Sequence, residues 1–417
     1  MQTTTTTAPR PTLYYGWVIA LSLGITATIS YGVLFYAFSV FIAPIEAELG
    51  WTRGETTGAF SLALLLNGIA AVAVGIWVDR HGARVLMTLG ALFSALLMFA
   101  LAFVQSLPQF YLIWFGIGLT MAMTFYEPGF TVIANWFRKY RGRALAVITF
   151  IAGFSSTIFL PLTDWLVRNY GWRGAVIILA GLLVFIVMPM HALILRRKPE
   201  DSGLFVDGEA SVLTEAAVSV ESISLKGALR SRSFWWLTAG FGFVSIGATA
   251  LRIHFIPYLL DLGFTSEFAA YAAGLIGAMQ VLGRVIYVPL QTRFATRVMT
   301  AAVFGLQAVT MAVLLLAAGS SGGVLAGVVI FGAAQGALTL LRPALLAEMY
   351  GTAYYGRISS MMGLVLIGVV TLAPAGAGVL YERTQSYTSV LVVLLMASVL
   401  AVLTMMFMPR GKPGVQG

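Results

Sequence analysis

Four ionisable side chains lie well inside long apolar runs: Glu127, Arg252, Arg284 and Arg342, with His254 two residues beyond Arg252. A charge at lipid depth costs about 2.5–3.5 kcal/mol on insertion scales, so such residues are kept for binding, ion coupling or pairing. Three guanidiniums against one carboxylate leave an excess of positive charge. A guanidinium offers a planar fork to a carboxylate, so the set suits an anionic ligand. Each residue also has a structural reading. Glu127 precedes Pro128 and Arg342 precedes Pro343, so the two could neutralise one another across a repeat. Arg252 could extend toward an interface near Asp261. His254 reads first as a hydrogen-bonded histidine, although an unperturbed pKa near 6.5 leaves proton transfer open. Arg284 has Gln280, not an acid, one turn before it, so its charge lacks a local partner. Tyr31, Tyr36, Asn67, Phe125, Tyr126, Tyr258, Tyr287 and Gln335 would together suit a ligand with an apolar body and a carboxylate head. Taken singly, each is as readily a packing residue.

The elements that must position these groups are membrane helices. The chain is 59% hydrophobic and 10% charged over 417 residues, where a soluble domain carries about 25% charged residues. Twelve apolar segments of roughly 20 residues can be drawn, each able to cross ~30 Å of hydrocarbon. The polar head, Met1 to Thr12, lacks a cleavage-type site, so no removable signal peptide is expected. Without cysteine there is no disulfide and no thiolate metal site. No metal-ligand spacing, phosphate loop or Ser/His/Asp grouping occurs, so neither cofactor nor enzyme activity is expected. The net charge of +9 is not a nucleic-acid signature. Apart from the three arginines inside spans, only Arg53, Arg168, Arg173 and Arg383 fall on one side of the alternating connections. The remaining Lys and Arg gather on the other side, a positive-inside pattern that places both termini in the cytoplasm.

Read in order, the first span enters at Tyr15-Gly16-Trp17 and runs to about Ala43, before Pro44. The second is expected over Thr57 to Val78, and the fourth runs unbroken to Phe137. Residues 1–195 form a first six-helix bundle, 196–232 a cytoplasmic linker with a surface helix near Ser224 to Arg230, and 233–417 a second bundle. The halves repeat at a shift of 213 residues: Pro44 and Leu49-Gly50-Trp51-Thr52 recur as Pro257 and Leu262-Gly263-Phe264-Thr265. At the same shift Asn67 meets Gln280, and Arg80 and Arg84 meet Arg293 and Arg297, while Asp79 is matched by Thr292. Such parallel repeats related by an axis along the membrane normal are a transporter architecture.

Between the second and third spans stands Gly75-Ile-Trp-Val-Asp79-Arg80-His81-Gly82-Ala83-Arg84. Gly82 permits a tight reversal, since glycine takes positive φ freely, and Arg80 and Arg84 would face an anionic leaflet. The spacing resembles the corresponding loop of the major facilitator superfamily. That resemblance implies an all-α fold of 12 transmembrane helices in two pseudo-symmetric six-helix halves. Helices one, four, seven and ten would line a central cavity, bordered by the inner part of eight.

A narrower likeness is to the monocarboxylate transporter branch. It rests on Tyr15-Gly16-Trp17, on Trp136 to Ala146 followed by Ala152-Gly153, on Arg284 after Gly283, and on Pro374, Gly376, Gly378 and Tyr381-Glu382. The likeness implies proton-linked movement of a small monocarboxylate, lactate-like or aromatic, across the plasma (inner) membrane by a monomeric carrier. Arg284 would bind the substrate carboxylate, with Tyr31, Asn67, Tyr126, Arg252, Tyr287 and Arg342 around it. The first helix lacks the branch's lysine or acid, and Gln280 stands where many members have aspartate. Glu127, with His254, is therefore the expected proton site. Proton-antiport efflux of a drug or metabolite is the alternative, although Gly153 to Pro161 has too few glycines for that class's fifth-helix motif.

Overall fold

The computed structural model describes residues 14–208, 223–291, 293–317, 319–351 and 354–409. Among them there is helix and no strand. In order these are α1 (Tyr15–Tyr31), a π-helical turn Gly32–Tyr36, α2 (Phe38–Leu49), α3 (Arg53–His81), α4 (Ala83–Leu101), α5 (Leu107–Thr124), α6 (Tyr126–Trp136), α7 (Arg141–Ala152), α8 (Ser155–Leu182) and α9 (Met188–Ile194). After a linker come α10 (Leu225–Arg230), α11 (Arg232–Asp261), α12 (Ser266–Leu290), α13 (Thr296–Ala317), α14 (Ser321–Tyr350), α15 (Tyr355–Thr384) and α16 (Tyr387–Phe407).

Eleven helical runs are long and apolar enough to cross a membrane. One of them, Arg141–Ile194, is 54 residues long, roughly 80 Å at 1.5 Å per residue and more than two crossings require. Inside it Gly171 sits at φ 70° and ψ 166°, a conformation that reverses the chain and that side-chain-bearing residues avoid. The run therefore has the length and the turn for two spans, which is consistent with twelve.

Three sequence expectations shift. The first span does not stop at Ala43: α2 carries Pro44 inside it and ends at Gly50 in the left-handed region. A long, packed helix absorbs the bond that proline removes. The second span begins at Arg53 rather than Thr57, because Thr52 and Glu55 form a reciprocal capping box at its start. The fourth span is broken at Phe125, which is extended at φ −81° and ψ −160°. The surface helix near Ser224 is α10, with Ser224 as its N-cap.

Apolar packing is divided in the way the sequence repeat suggests. One buried cluster around Trp136, Ile133 and Met87 is built only from α1–α9, and another around Phe234, Phe304 and Tyr350 only from α10–α16. The halves meet along α3–α15, α8–α12 and α2–α11, where Val40 and Leu160 pack among Ala248, Leu251 and Phe255. Small residues allow the closest approaches, as membrane interfaces require. Gly283 on α12 rests on the backbone of Ala333 in α14.

Gly82 takes φ 83° and lies against the side chain of Arg197. The arginines of this loop do not simply face lipid headgroups. Arg84 donates through Nε to the carbonyl of Ala192 at 2.7 Å, and the carbonyl of Arg80 accepts from Arg197 at 2.7 Å. The open last carbonyls of α9 are nearer acceptors than any headgroup. Asp79 lies in α3, and its side chain is outside the described residues.

These contacts separate two glycine substitutions. Gly283→Val should drive Cβ into the α14 backbone and destabilise the fold by about 1–3 kcal/mol. Gly75 has open space beside it, so Gly75→Ala should leave stability unchanged or slightly raised. Thermal unfolding midpoints of the detergent-purified variants check both.

Candidate functional site

The centre of the site is the break in the fourth span. Pro128 has no N–H to donate, which is tolerated only in the first turn of a helix. The chain accordingly ends α5 at Thr124 and starts α6 at Tyr126. Glu127 thus stands in the first turn of a half-helix, where the helix dipole favours a carboxylate. It is exposed although it lies mid-span.

Aromatic rings surround the break. Tyr31 stacks on Phe125 with centroids 3.9 Å apart and contacts Tyr126 at 4.7 Å, while Tyr126 stacks on Phe130 at 5.2 Å. The π-helical turn after Tyr31 widens the first span at Gly32, which lies against the ring of Phe159. Such single wide turns recur at functional sites, and this one puts Tyr31 and Tyr36 within electrostatic range of each other. Tyr126 in turn is within range of Tyr36, Glu127 and Arg284.

Arg284 belongs to the other half. One Nη donates to the carbonyl of Thr149 across the α7–α12 boundary at 2.9 Å, and Nε is buried without a partner. No carboxylate among the described residues pairs with it. Tyr31, Tyr36, Tyr126 and Glu127 from one half and Arg284 from the other therefore form one group.

The remaining candidates lie elsewhere. Arg252 donates to Oε1 of Gln335 at 2.9 Å. Arg342 reaches toward α15, with a 3.4 Å contact to the carbonyl of Ser359, and no ion pair joins it to Glu127. Asn67 lies half-buried on α3 with its Oδ1 unpartnered. Tyr287 packs in an apolar cluster with Met299, Val303 and Leu341. These neighbours belong to α13 and α14, and Tyr287 is buried among them rather than in the group around Arg284.

His254 is also removed from Glu127. Its Nε2 meets the carbonyl of Pro374 at 2.8 Å and its Nδ1 meets the Tyr387 hydroxyl at 3.0 Å. A carbonyl can only accept, so Nε2 carries the proton and Tyr387 donates to Nδ1. The same hydroxyl accepts from Arg53 at 2.9 Å. Arg53 is held by Glu46 at 2.7 Å, lies 3.8 Å from Asp261 and sits 4.5 Å above the Tyr381 ring. With the Arg168–Glu267 pair at 3.5 Å, this layer closes the halves together at the Arg53 end. Little in the sequence warns of it. Arg53 reads as an ordinary loop cation, and one of its partners, Tyr387, is 334 positions away.

Charged and aromatic side chains that meet between two related helix bundles, with a polar layer joining the halves at one end, are the arrangement of a membrane carrier. The Major Facilitator Superfamily matches residues 23–365, and the chain belongs to that superfamily of membrane transporters. Monocarboxylate transporter 13 of Bos taurus is 26% identical over 393 residues, covering 91% of this chain and 86% of the relative. Monocarboxylate transporter 4 of Rattus norvegicus is 25% identical over 393 residues, covering 91% and 79%. Among solved structures, a mutant of the nucleoside transporter NupG superposes with TM-score 0.75 at 12% identity, over 94% of this chain and 100% of that one. A bacterial homologue of the human lysosomal transporter Spinster, in an inward-facing and unoccupied conformation, gives TM-score 0.72 at 14% identity, over 95% of each chain. These two likenesses concern the fold alone.

The closed layer can be tested through a buried position behind it. Val40 is 6% exposed in the contact between the halves, and the chain has no native cysteine. Val40→Cys should react slowly with a polar maleimide. Adding Arg53→Gln, which removes a charge-assisted hydrogen bond and its neighbouring ion pairs, should raise the labelling rate about tenfold. The exposed Gln385→Cys, measured alongside, should be unaffected.

Proposed function

We propose that the protein carries a small organic anion, a monocarboxylate with an apolar or aromatic body, across the inner (plasma) membrane with a coupled proton. The observation that carries this reading is Arg284, a guanidinium at membrane depth with no carboxylate partner, facing Tyr36 and Tyr126. Its free donors match a carboxylate fork, while Tyr31, Phe125, Tyr126 and Phe130 offer ring faces to the ligand's body. The monocarboxylate transporters that resemble the chain along most of its length support the same class.

Loop charge assigns the Arg53 end to the outside, and with it both termini to the cytoplasm. On that assignment the Arg53 layer closes the outer end. Glu127 is the proton site. As a carboxylate it would compete with the substrate for the positive field of Arg284. Once protonated it no longer competes, so anion and proton are accommodated together. Release of both inside restores the negative charge beside the guanidinium and resets the empty carrier. Rocking of the two halves about the site exposes it to each face in turn.

Proteoliposomes with an imposed pH gradient test this. Labelled lactate or benzoate should accumulate when the outside is acidic. Arg284→Gln should reduce uptake at least tenfold, the value of one charge-assisted hydrogen bond of about 1.5 kcal/mol. Glu127→Gln should still bind and exchange substrate but should lose accumulation driven by the pH gradient. If Glu127→Gln responds to the gradient as the native protein does, the proton lies elsewhere. If Arg284→Gln transports normally, the anion reading is wrong.

A further inference from the structure

A second cation lies nearer the closed end and has no role in the site above. Arg252 on α11 uses one Nη to donate to Oε1 of Gln335 on α14. Its Nε is buried and unpartnered, and so is Nε2 of Gln335, whose side chain is 4% exposed. No carboxylate among the described residues pairs with Arg252. With the amide oxygen engaged by the arginine, the unpartnered buried groups of the pair are both donors: Nε–H of Arg252 and the amide NH2 of Gln335. Buried donors without partners each cost about 1–3 kcal/mol. A cluster made only of donors is satisfied by an anion and by no cation.

Position along the helices separates this pair from Arg284. Arg252 lies nine residues before the end of α11 at Asp261, and Arg284 lies eighteen residues after the start of α12 at Ser266. At 1.5 Å per residue these are roughly 14 Å and 27 Å from the same end of the bundle. A small carboxylate cannot touch both at once. The layer formed by Arg53, Tyr387 and His254 lies toward the same end of the bundle: His254 stands two residues nearer that end on the same helix, on a different face.

We propose that Arg252 and Gln335 form a second carboxylate station, which captures the anion as the outer layer opens and passes it to Arg284. This rests on the organic-anion reading given above. The anion takes up the guanidinium Nε–H and the amide NH2, and moves inward when the layer closes behind it and the site around Arg284 becomes the better-donating partner. The station acts only on anions arriving from the Arg53 side, because anions arriving from the opposite side reach Arg284 first.

Sided kinetics test the station. Initial rates of labelled benzoate and lactate uptake are measured in right-side-out and inside-out membrane vesicles. Arg252→Gln is expected to raise KM about tenfold for entry from the Arg53 side, the loss of one charge-assisted contact, and to leave KM from the other side unchanged. Arg252→Lys, which keeps the charge, is expected to recover most of the loss. Gln335→Met, which leaves the guanidinium in place, should give a smaller rise of the same sidedness. Equal effects from both sides would overturn the station and make Arg252 a structural or central-site residue. Unchanged kinetics from both sides would overturn it as well. Failure of the native protein to transport either acid would instead refute the anion reading beneath it.

Discussion

The constraint on which the rest depends is the cost of an unbalanced charge at hydrocarbon depth. Arg284 and Arg252 are both held there without a carboxylate partner, and each keeps at least one buried N–H unsatisfied. Protein-supplied neutralisation would be easy to arrange: the Glu46–Arg53 and Asp164–Arg168 pairs in the same chain, at 2.7 Å and 2.9 Å, show close geometry nearer the interface. Its absence in the centre keeps the charges available. On the reading proposed above, these donors are what a substrate carboxylate takes up.

That arrangement works only if water reaches one end at a time. The cross-half bonds supply the seal. They run from the Arg53 layer down through Thr157 to Gly274 at 2.8 Å and end at Arg284 with Thr149. Ser61 accepts from the backbone N–H of Ala375 at 3.0 Å between them. Beside the apolar contacts of Val40 and Leu160, polar bonds alternate with glycine contacts between the halves, such as Gly277 against Ser156 and Gly68 against Ile367. The bonds are individually worth about 0.5–1.5 kcal/mol, or 1.5–3 where charged. A layer of a few is strong enough to hold a state and weak enough to lose it.

Much of the fold was legible because lipid imposes a simple rule on sequence. Helical spans must be apolar and about 20 residues long, so their number, the repeat and the polar loops stand out. Arg284 was legible for the same reason, as a charge where charges are costly. What was not legible depends on backbone detail and distant partners. The break at Phe125 turns on where Pro128 falls relative to a helix start, and a proline alone does not fix that. Pro343, the matching residue in the second half, lies inside an unbroken α14. Tyr287 was misplaced because helical spacing fixes an angle around α12 and says nothing of which neighbour occupies it. His254 reads in the sequence as a hydrogen-bonded histidine with proton transfer left open, and its partners cannot be named from spacing. Only Pro374 and Tyr387, more than 100 residues away, show both ring nitrogens engaged.

The opposite end of the molecule explains how two halves can move as bodies. Among the described residues its polar bonds run within each half. In the first half Asp207 accepts from the backbone N–H groups of Arg138 and Lys139 at 3.0 Å and 2.8 Å, and Tyr14 donates to the carbonyls of Trp136 and Phe205, both at 3.0 Å. Burial, helped by Asp207 and Glu200, pushes the Tyr14 hydroxyl up to about 12, so it stays a donor across ordinary pH. In the second half Arg297 donates to the carbonyls of Met405 and Met408, and the N–H of Ile223 bonds the carbonyl of Tyr350 at 3.0 Å. The described parts of the linker are therefore each fastened to their own half: residues 196–208 to the first and 223–231 to the second. Ends fastened within their own halves are what the proposed rocking requires, since the Arg53 layer can then break without unmaking either bundle.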